Sequence, residues 1–177
     1  VHFTKLIYAL GSECFIPPME GSTLPEVVAI RRLSDVEKVE KLMSGAKNAV
    51  VVGGGVLGLE AAWELKKGGL DVKVLEVAPV LMGRQLDAGS AELLKNIAMR
   101  NGVEIRTGES VEAIEGPEHV TGVRIAGGET FPADLVIVSA GVRANAALAG
   151  TIGAETERGV VVNAHMETSV PGVYACG

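Results

Sequence analysis

The stretch Gly53-Gly54-Gly55-Val56-Leu57-Gly58 has the spacing Gly-x-Gly-x-x-Gly, and its chemistry is that of bare backbone. Without a Cβ the chain can turn tightly at Gly53, bring its amides close to a pyrophosphate at Gly55, and pack a helix closely on a strand at Gly58. The string alone is weak, but its setting strengthens it. Ala49-Val50-Val51-Val52 before it reads as a buried strand, and Gly58 to Lys67 after it as a helix. In that setting Gly53, Gly55, Val56, Leu57 and Gly58 are the expected cofactor-binding residues, with backbone amides at the helix start holding the phosphates. A glycine-rich turn without a ligand is the alternative. A triphosphate-binding loop is excluded, because Leu59-Glu60 stands where Lys and Ser/Thr are required.

Glu76 closes the next strand, about 20 residues beyond the loop, where a carboxylate accepts hydrogen bonds from the adenosine ribose and repels a 2′-phosphate. This favours NAD(H) over its phosphorylated form, although Arg84 in the following loop is a possible counter-charge for a 2′-phosphate. Glu60 is read into the first turn of the helix, where the helix dipole favours a carboxylate. Gly141 and Asn145 follow a strand ending at Ser139, and ligand contacts in open α/β sheets gather at such strand ends. A solvated strand-end glutamate and a plain strand-exit turn are the alternatives for these positions. His2, His119 and His165 have no metal-ligand spacing, and no Gly-x-Ser-x-Gly elbow occurs, so neither a metal nor a catalytic residue is assigned.

The elements that must position these residues alternate. Ser34-Asp35-Val36-Glu37 has the form of a capping box, followed by helical spacing at Val36, Val39, Leu42 and Met43. A second strand covers Val72–Val77, a helix runs from about Asp87 to Arg100, and a third strand begins at Val103. Ser110–Pro132 breaks into short strands with turns at Gly116-Pro117 and Gly127-Gly128, an antiparallel meander in place of a helical crossover. Asp134–Ser139 returns to a buried strand. The fold class that follows is α/β, a Rossmann-type doubly wound parallel sheet with an antiparallel β-meander crossover. The stretch up to Arg32, with Gly11, Pro17, Pro18, Gly21 and Pro25, reads as a short strand and then a linker rather than core.

Bulk properties narrow the partners. A chain of 177 residues with a net charge of −6 lacks the clustered basic surface that nucleic acid requires. Its longest apolar run, Ala49–Leu59, is broken by glycines and falls short of the roughly 20 residues of a membrane span. Cys14 and Cys176 lie at opposite ends and form neither a short-spaced redox pair nor a disulfide framework, so a reducing cytoplasm is expected. The opening Val1-His2-Phe3-Thr4-Lys5 has no signal peptide and no initiating methionine, as in a piece of a longer protein.

With these residues in view, the chain resembles the FAD-dependent pyridine nucleotide-disulfide oxidoreductase superfamily over nearly its whole length. Lys5–Ser12 is similar to the family's Ala-Thr-Gly segment, with Leu10 in place of Thr and Thr4 in place of Asp. Ala133–Asn145 resembles the strand and loop that close the NAD domain, with Ala144 where Pro is common. Thr168–Gly177 resembles the second flavin motif but stops before its Asp. Pro79–Asp87 is similar to the branch containing NADH oxidases, rubredoxin reductases and the flavoprotein part of nitrite reductases.

The resemblance implies a domain that binds NADH and orients the nicotinamide for hydride transfer to flavin, with Glu60 and Gly141 at the nicotinamide end. It implies three regions: residues 1–32, a flavin-domain remnant and linker; 33–149, the NAD(H)-binding domain; and 150–177, a truncated return to the flavin domain. FAD is then expected only in the full-length enzyme, whose flavin-binding and interface domains are the partners, and the isolated piece is expected to be inactive. A non-enzymatic NAD-sensing module is the competing function. A methyltransferase-like domain, which also ends its second strand in an acidic residue, is disfavoured by the meander and the flanking motifs.

Overall fold

Asn48–Val52 and Leu135–Val138 are apolar throughout or nearly so, and such strands need cover on both faces. In the computed structural model, which describes residues 2–177, they lie side by side at the centre of a parallel sheet. Among the described residues the elements, in chain order, are β1 (Leu6–Tyr8), β2 (Ser12–Cys14), β3 (Val27–Val28), α1 (Leu33–Met43), β4 (Asn48–Val52), α2 (Val56–Lys67), β5 (Asp71–Glu76) and α3 (Ala88–Arg100). They continue with β6 (Val103–Thr107), β7 (Val111–Glu115), β8 (Gly122–Ile125), β9 (Thr130–Pro132), β10 (Leu135–Val138), β11 (Val142–Ala144), α4 (Ala147–Thr151) and β12 (Val173–Ala175). No helix among the described residues is long and apolar enough to cross a membrane. The chain divides into two units, one of residues up to Phe15 with Gly141–Gly177, the other of Ile16–Ala140.

The larger unit is built on the sheet β3-β10-β4-β5-β6, parallel throughout. The period-2 alternation of a strand sends Val51, Val74, Ile105 and Ile137 to one face, where they pack with Val39, Ala62 and Leu65 of the helices. The other face carries Val50, Leu75, Val136 and Val138, covered by Ile114, Val123, Ile125 and Phe131 of the antiparallel sheet β7-β8-β9. The expected fold class, a Rossmann-type parallel sheet with a meander crossover, is the observed one.

Several local expectations are corrected. Helix α1 starts before Ser34: its cap residue is Arg32, and the Asp35 carboxylate, not Ser34, receives the backbone N–H groups of Arg31 (2.9 Å) and Arg32 (2.8 Å). Those two bonds hold the Asp35 carboxyl below the usual carboxylate range. The stretch before Arg32 is more than a linker, because Val27 and Val28 are buried and pair with Val136 and Ile137 as an edge strand. Trp63 and Leu93 are exposed, since the inward stripe of α2 and α3 is filled by Leu59, Ala62, Leu65, Ala91, Leu94 and Ala98.

Glu26, next to β3, ties that strand to the meander. Its Oε1 lies 2.7 Å from His119 Nδ1, and its Oε2 accepts from Val120 N–H at 3.0 Å. The hydrogen bond to Glu26 raises the His119 pKa, and burial of Glu26 is outweighed by its bonds to His119 and Val120, so that carboxyl is lowered. A raised histidine stabilises the fold below its unfolded pKa, and that contribution is lost as pH rises through the folded value. His119 is therefore expected to titrate above the ordinary value of about 6.5 and to fall back in Glu26→Gln, read by NMR of the imidazole. An identical His119 titration in both proteins would show that the pair does not form.

The smaller unit pairs β1 in parallel with β12 and β2 antiparallel with β11. Tyr8, Ala149, Ala154, Val173 and Ala175 form its core, and the Tyr8 hydroxyl donates to the carbonyl of Leu148 at 3.2 Å. The Lys5–Ser12 and Thr168–Gly177 segments are thereby brought side by side, with Cys176 N–H donating to Tyr8 O at 2.9 Å. Neither cysteine forms a disulfide: Cys14 is half-buried in β2 and Cys176 is exposed.

Candidate functional site

Each glycine of the loop does a different job. Gly53 has a φ of +113°, a region that L side chains rarely adopt, and a Cβ there would overlap the carbonyl oxygen of Ser139 beyond the end of β10. Gly53 N–H donates to Leu75 O at 2.8 Å, and Ser139 N–H to Val52 O at 2.8 Å, so the turn is stitched to both neighbouring strands. At Gly58 a Cβ would overlap the carbonyl oxygen of Gly53, which is why α2 sits so close to the loop. Gly55 is the opposite case: φ is −79° and a Cβ would meet nothing within 4 Å. The fold therefore places no demand for glycine at Gly55, while its bare backbone leaves room for a ligand.

Gly55 is also the cap residue of α2. No side chain caps this helix, and its first hydrogen bond runs from Leu59 N–H to Gly55 O at 3.0 Å. The N–H groups of Val56, Leu57 and Gly58 thus have no intrahelical acceptor and stand at the positive end of the helix dipole. Val56 and Leu57 are exposed. Such an end is suited to an anion.

Glu76 ends β5, half-buried, with its carboxylate turned to the loop. Oε2 accepts from Gly54 N–H at 2.5 Å and Oε1 from Ala78 N–H at 2.7 Å. This is not a merely solvated strand-end glutamate. A carboxylate offers about four lone-pair positions, so two bonds leave acceptors for ribose hydroxyls. Arg84, by contrast, is exposed and makes no ion pair among the described residues.

The remaining positions divide. Glu60 does not lie in the first turn of α2: the helix starts at Val56, which puts this exposed carboxylate one turn deeper. Gly141 belongs to the smaller unit, where its φ is +94° and its carbonyl accepts from Phe15 N–H at 2.9 Å. Asn145, in the same unit, is held by Gly11 O and Leu10 O, both at 3.0 Å. Among the described residues no group of three or more His, Cys, Asp or Glu side chains is placed to hold a metal ion. Sequence reasoning missed Ser139, whose carbonyl forms the floor under Gly53, and Leu81 and Met82, which lie against Gly54. Nothing local signals these residues: Ser139 and Met82 act through backbone groups and Leu81 through its side chain, each on a glycine distant in the chain.

Comparison with known proteins fits this geometry. The chain is 39% identical over 175 residues to an NAD(P)H nitrite reductase of Bacillus subtilis, covering 99% of this chain and 22% of that protein. It is 37% identical over 180 residues to an NADH oxidase of Methanocaldococcus jannaschii, covering 100% of this chain and 40% of that protein. A solved ferredoxin reductase of Rhodopseudomonas palustris superposes with a TM-score of 0.95 at 31% identity, covering 100% of this chain and 44% of that one. The chain thus spans less than half the length of each of these proteins. The family model for pyridine nucleotide-disulphide oxidoreductases matches residues 1–177, and the chain belongs to that family.

Proposed function

We propose that the unit Ile16–Ala140 binds NADH, with the pyrophosphate on the amides of Gly55–Gly58 and the adenosine ribose on Glu76, and that it aims the nicotinamide at a flavin held by the full-length protein. The observation that carries this reading is the open space at Gly55, in a loop whose other glycines are closed in by backbone or side-chain atoms. A cradle that any side chain would fill, next to an uncapped helix start, fits a pyrophosphate approached by bare backbone. The names of the nitrite reductase and NADH oxidase relatives also share a nicotinamide nucleotide.

When bound in the full-length protein, NADH would supply a hydride and FAD would accept it. The protein's part is orientation: the helix start fixes the phosphates, Glu76 fixes the ribose, and the reach of the remaining half then decides where the nicotinamide lies. Glu60 is assigned to the nicotinamide end on the family resemblance. The unit containing β1 and β12 is assigned to the flavin-binding domain, since its paired end segments resemble the flavin motifs. This unit holds an open cavity of about 250 Å³ bordered by Tyr8, Gly11, Asn145 and Cys176.

Calorimetric titration with NADH, NADPH and S-adenosylmethionine tests the reading. NADH is expected to bind most tightly. Glu76→Gln, which keeps the shape but not the charge, is expected to weaken NADH about tenfold, the worth of one hydrogen bond to a charged group, and to narrow the preference over NADPH. Unchanged affinity and preference would remove Glu76 from the site, and binding of S-adenosylmethionine alone would replace the nucleotide assignment.

A further inference from the structure

We propose that Met82 is a positioning residue for the nucleotide loop: through its backbone it fixes the Gly54–Gly55 peptide so that the Gly55 N–H is aimed before any nucleotide arrives. The inference rests on the NADH-binding reading above and assigns a role to a residue that touches no nucleotide in it.

The Gly54 residue is clamped on three sides. Its N–H donates to Glu76 Oε2 at 2.5 Å, its carbonyl accepts from Met82 N–H at 3.1 Å, and its Cα rests on the fully buried Leu81, whose Cδ2 would lie 2.5 Å from an added Cβ. In a trans peptide the C=O and the N–H of the next residue point in opposite directions. Binding the Gly54 carbonyl to Met82 therefore turns the Gly55 N–H the other way. By the same rule, the bond from Gly54 N–H to Glu76 turns the Gly53 carbonyl away from Glu76, and that carbonyl does face Gly58. Two successive peptide planes are thus set by the segment Glu76–Met82.

Met82 adopts this role at a conformational penalty. Its φ is +49°, the left-handed region, which among the described non-glycine residues is shared only by Met166. That conformation lets Met82 present its N–H to Gly54 while its carbonyl accepts from Gln85 N–H (2.8 Å) and Leu86 N–H (3.0 Å), directing the chain into α3. The segment is anchored at its start as well, with Glu109 N–H on Glu76 O (3.0 Å) and Gly108 N–H on Ala78 O (2.9 Å). A residue held in a disfavoured region by its surroundings beside a ligand loop is where conformational penalty serves positioning.

Two substitutions separate this role from ordinary packing. Met82→Gly removes the side chain but favours the left-handed backbone, whereas Met82→Val keeps an apolar side chain but opposes that backbone. On the full chain, Met82→Gly is expected to bind NADH and ADP-ribose like the parent. Met82→Val is expected to raise both dissociation constants about tenfold, because the clamped loop is then only fractionally populated. Amide exchange by NMR, which needs no nucleotide, is expected to show the Gly54 and Met82 N–H groups protected in the parent and in Met82→Gly and less protected in Met82→Val. Equal binding by the parent and Met82→Val, or weaker binding by Met82→Gly than by Met82→Val, overturns the positioning role alone. A parent that binds neither nucleotide overturns the NADH reading and this inference with it.

Discussion

Gly55→Val is expected to abolish NADH binding while leaving the fold intact. The backbone at Gly55 has φ −79° and ψ −179°, an extended conformation open to valine, and the space a Cβ would enter is empty of protein atoms to 4 Å. Denaturant midpoint and circular dichroism should therefore match the parent closely. The branched side chain would instead stand where the pyrophosphate must approach the loop amides. Loss of two charge-assisted hydrogen bonds, each worth about 1.5–3 kcal/mol, weakens binding by roughly a hundredfold or more. Calorimetry with NADH reads this directly. A folded Gly55→Val protein that binds NADH like the parent would show that no phosphate lies on this loop.

Gly53→Ala is expected to do the reverse and damage the fold first. The residue is at φ +113°, and the added methyl would overlap the Ser139 carbonyl, which is backbone and cannot swing aside. The backbone penalty and the forced separation of the β4 and β10 strand ends together are expected to remove roughly 3 kcal/mol or more of stability. Against a total of about 5–15 kcal/mol, that loss is visible as a large fall in the urea midpoint. A Gly53→Ala protein as stable as the parent would mean that the turn does not adopt this geometry. The contrast between the two variants is the test of the loop: one glycine kept for the fold, the other for a ligand.

Legibility varied with the range of the interactions involved. The order strand, glycine turn, helix, strand was readable because each piece is set by its own residues: the β-branched run of β4, the helix formers of α2, and the Asp87 cap that accepts from Ser90 N–H at 2.8 Å. Where two adjacent residues compete for one local job, short-range spacing selected the wrong one, a capping box begun by Ser34. Ser34 and Asp35 both suit a helix start, and the longer history of the chain, its entry at Arg31 and Arg32, gave the role to Asp35. The two-residue strand β3 had no periodicity to show; only its partner β10, far along the chain, makes Val27 and Val28 a strand.

By itself the sequence determined the α/β class, the meander, the glycine loop and the acidic residue at the end of the second strand of the nucleotide motif, because periodicity, propensity and short spacings are local properties. Tertiary structure alone decided what each glycine is for. Gly53, Gly55 and Gly58 are the same residue type, and only the neighbours they meet in space distinguish them: the Ser139 carbonyl, empty space, and the Gly53 carbonyl. It also decided that Glu76 grips Gly54 from 22 residues away and that Met82 takes a left-handed conformation to complete that grip. Contacts between backbone groups leave no trace in side-chain identity, so they become visible only when the folded chain brings those groups together.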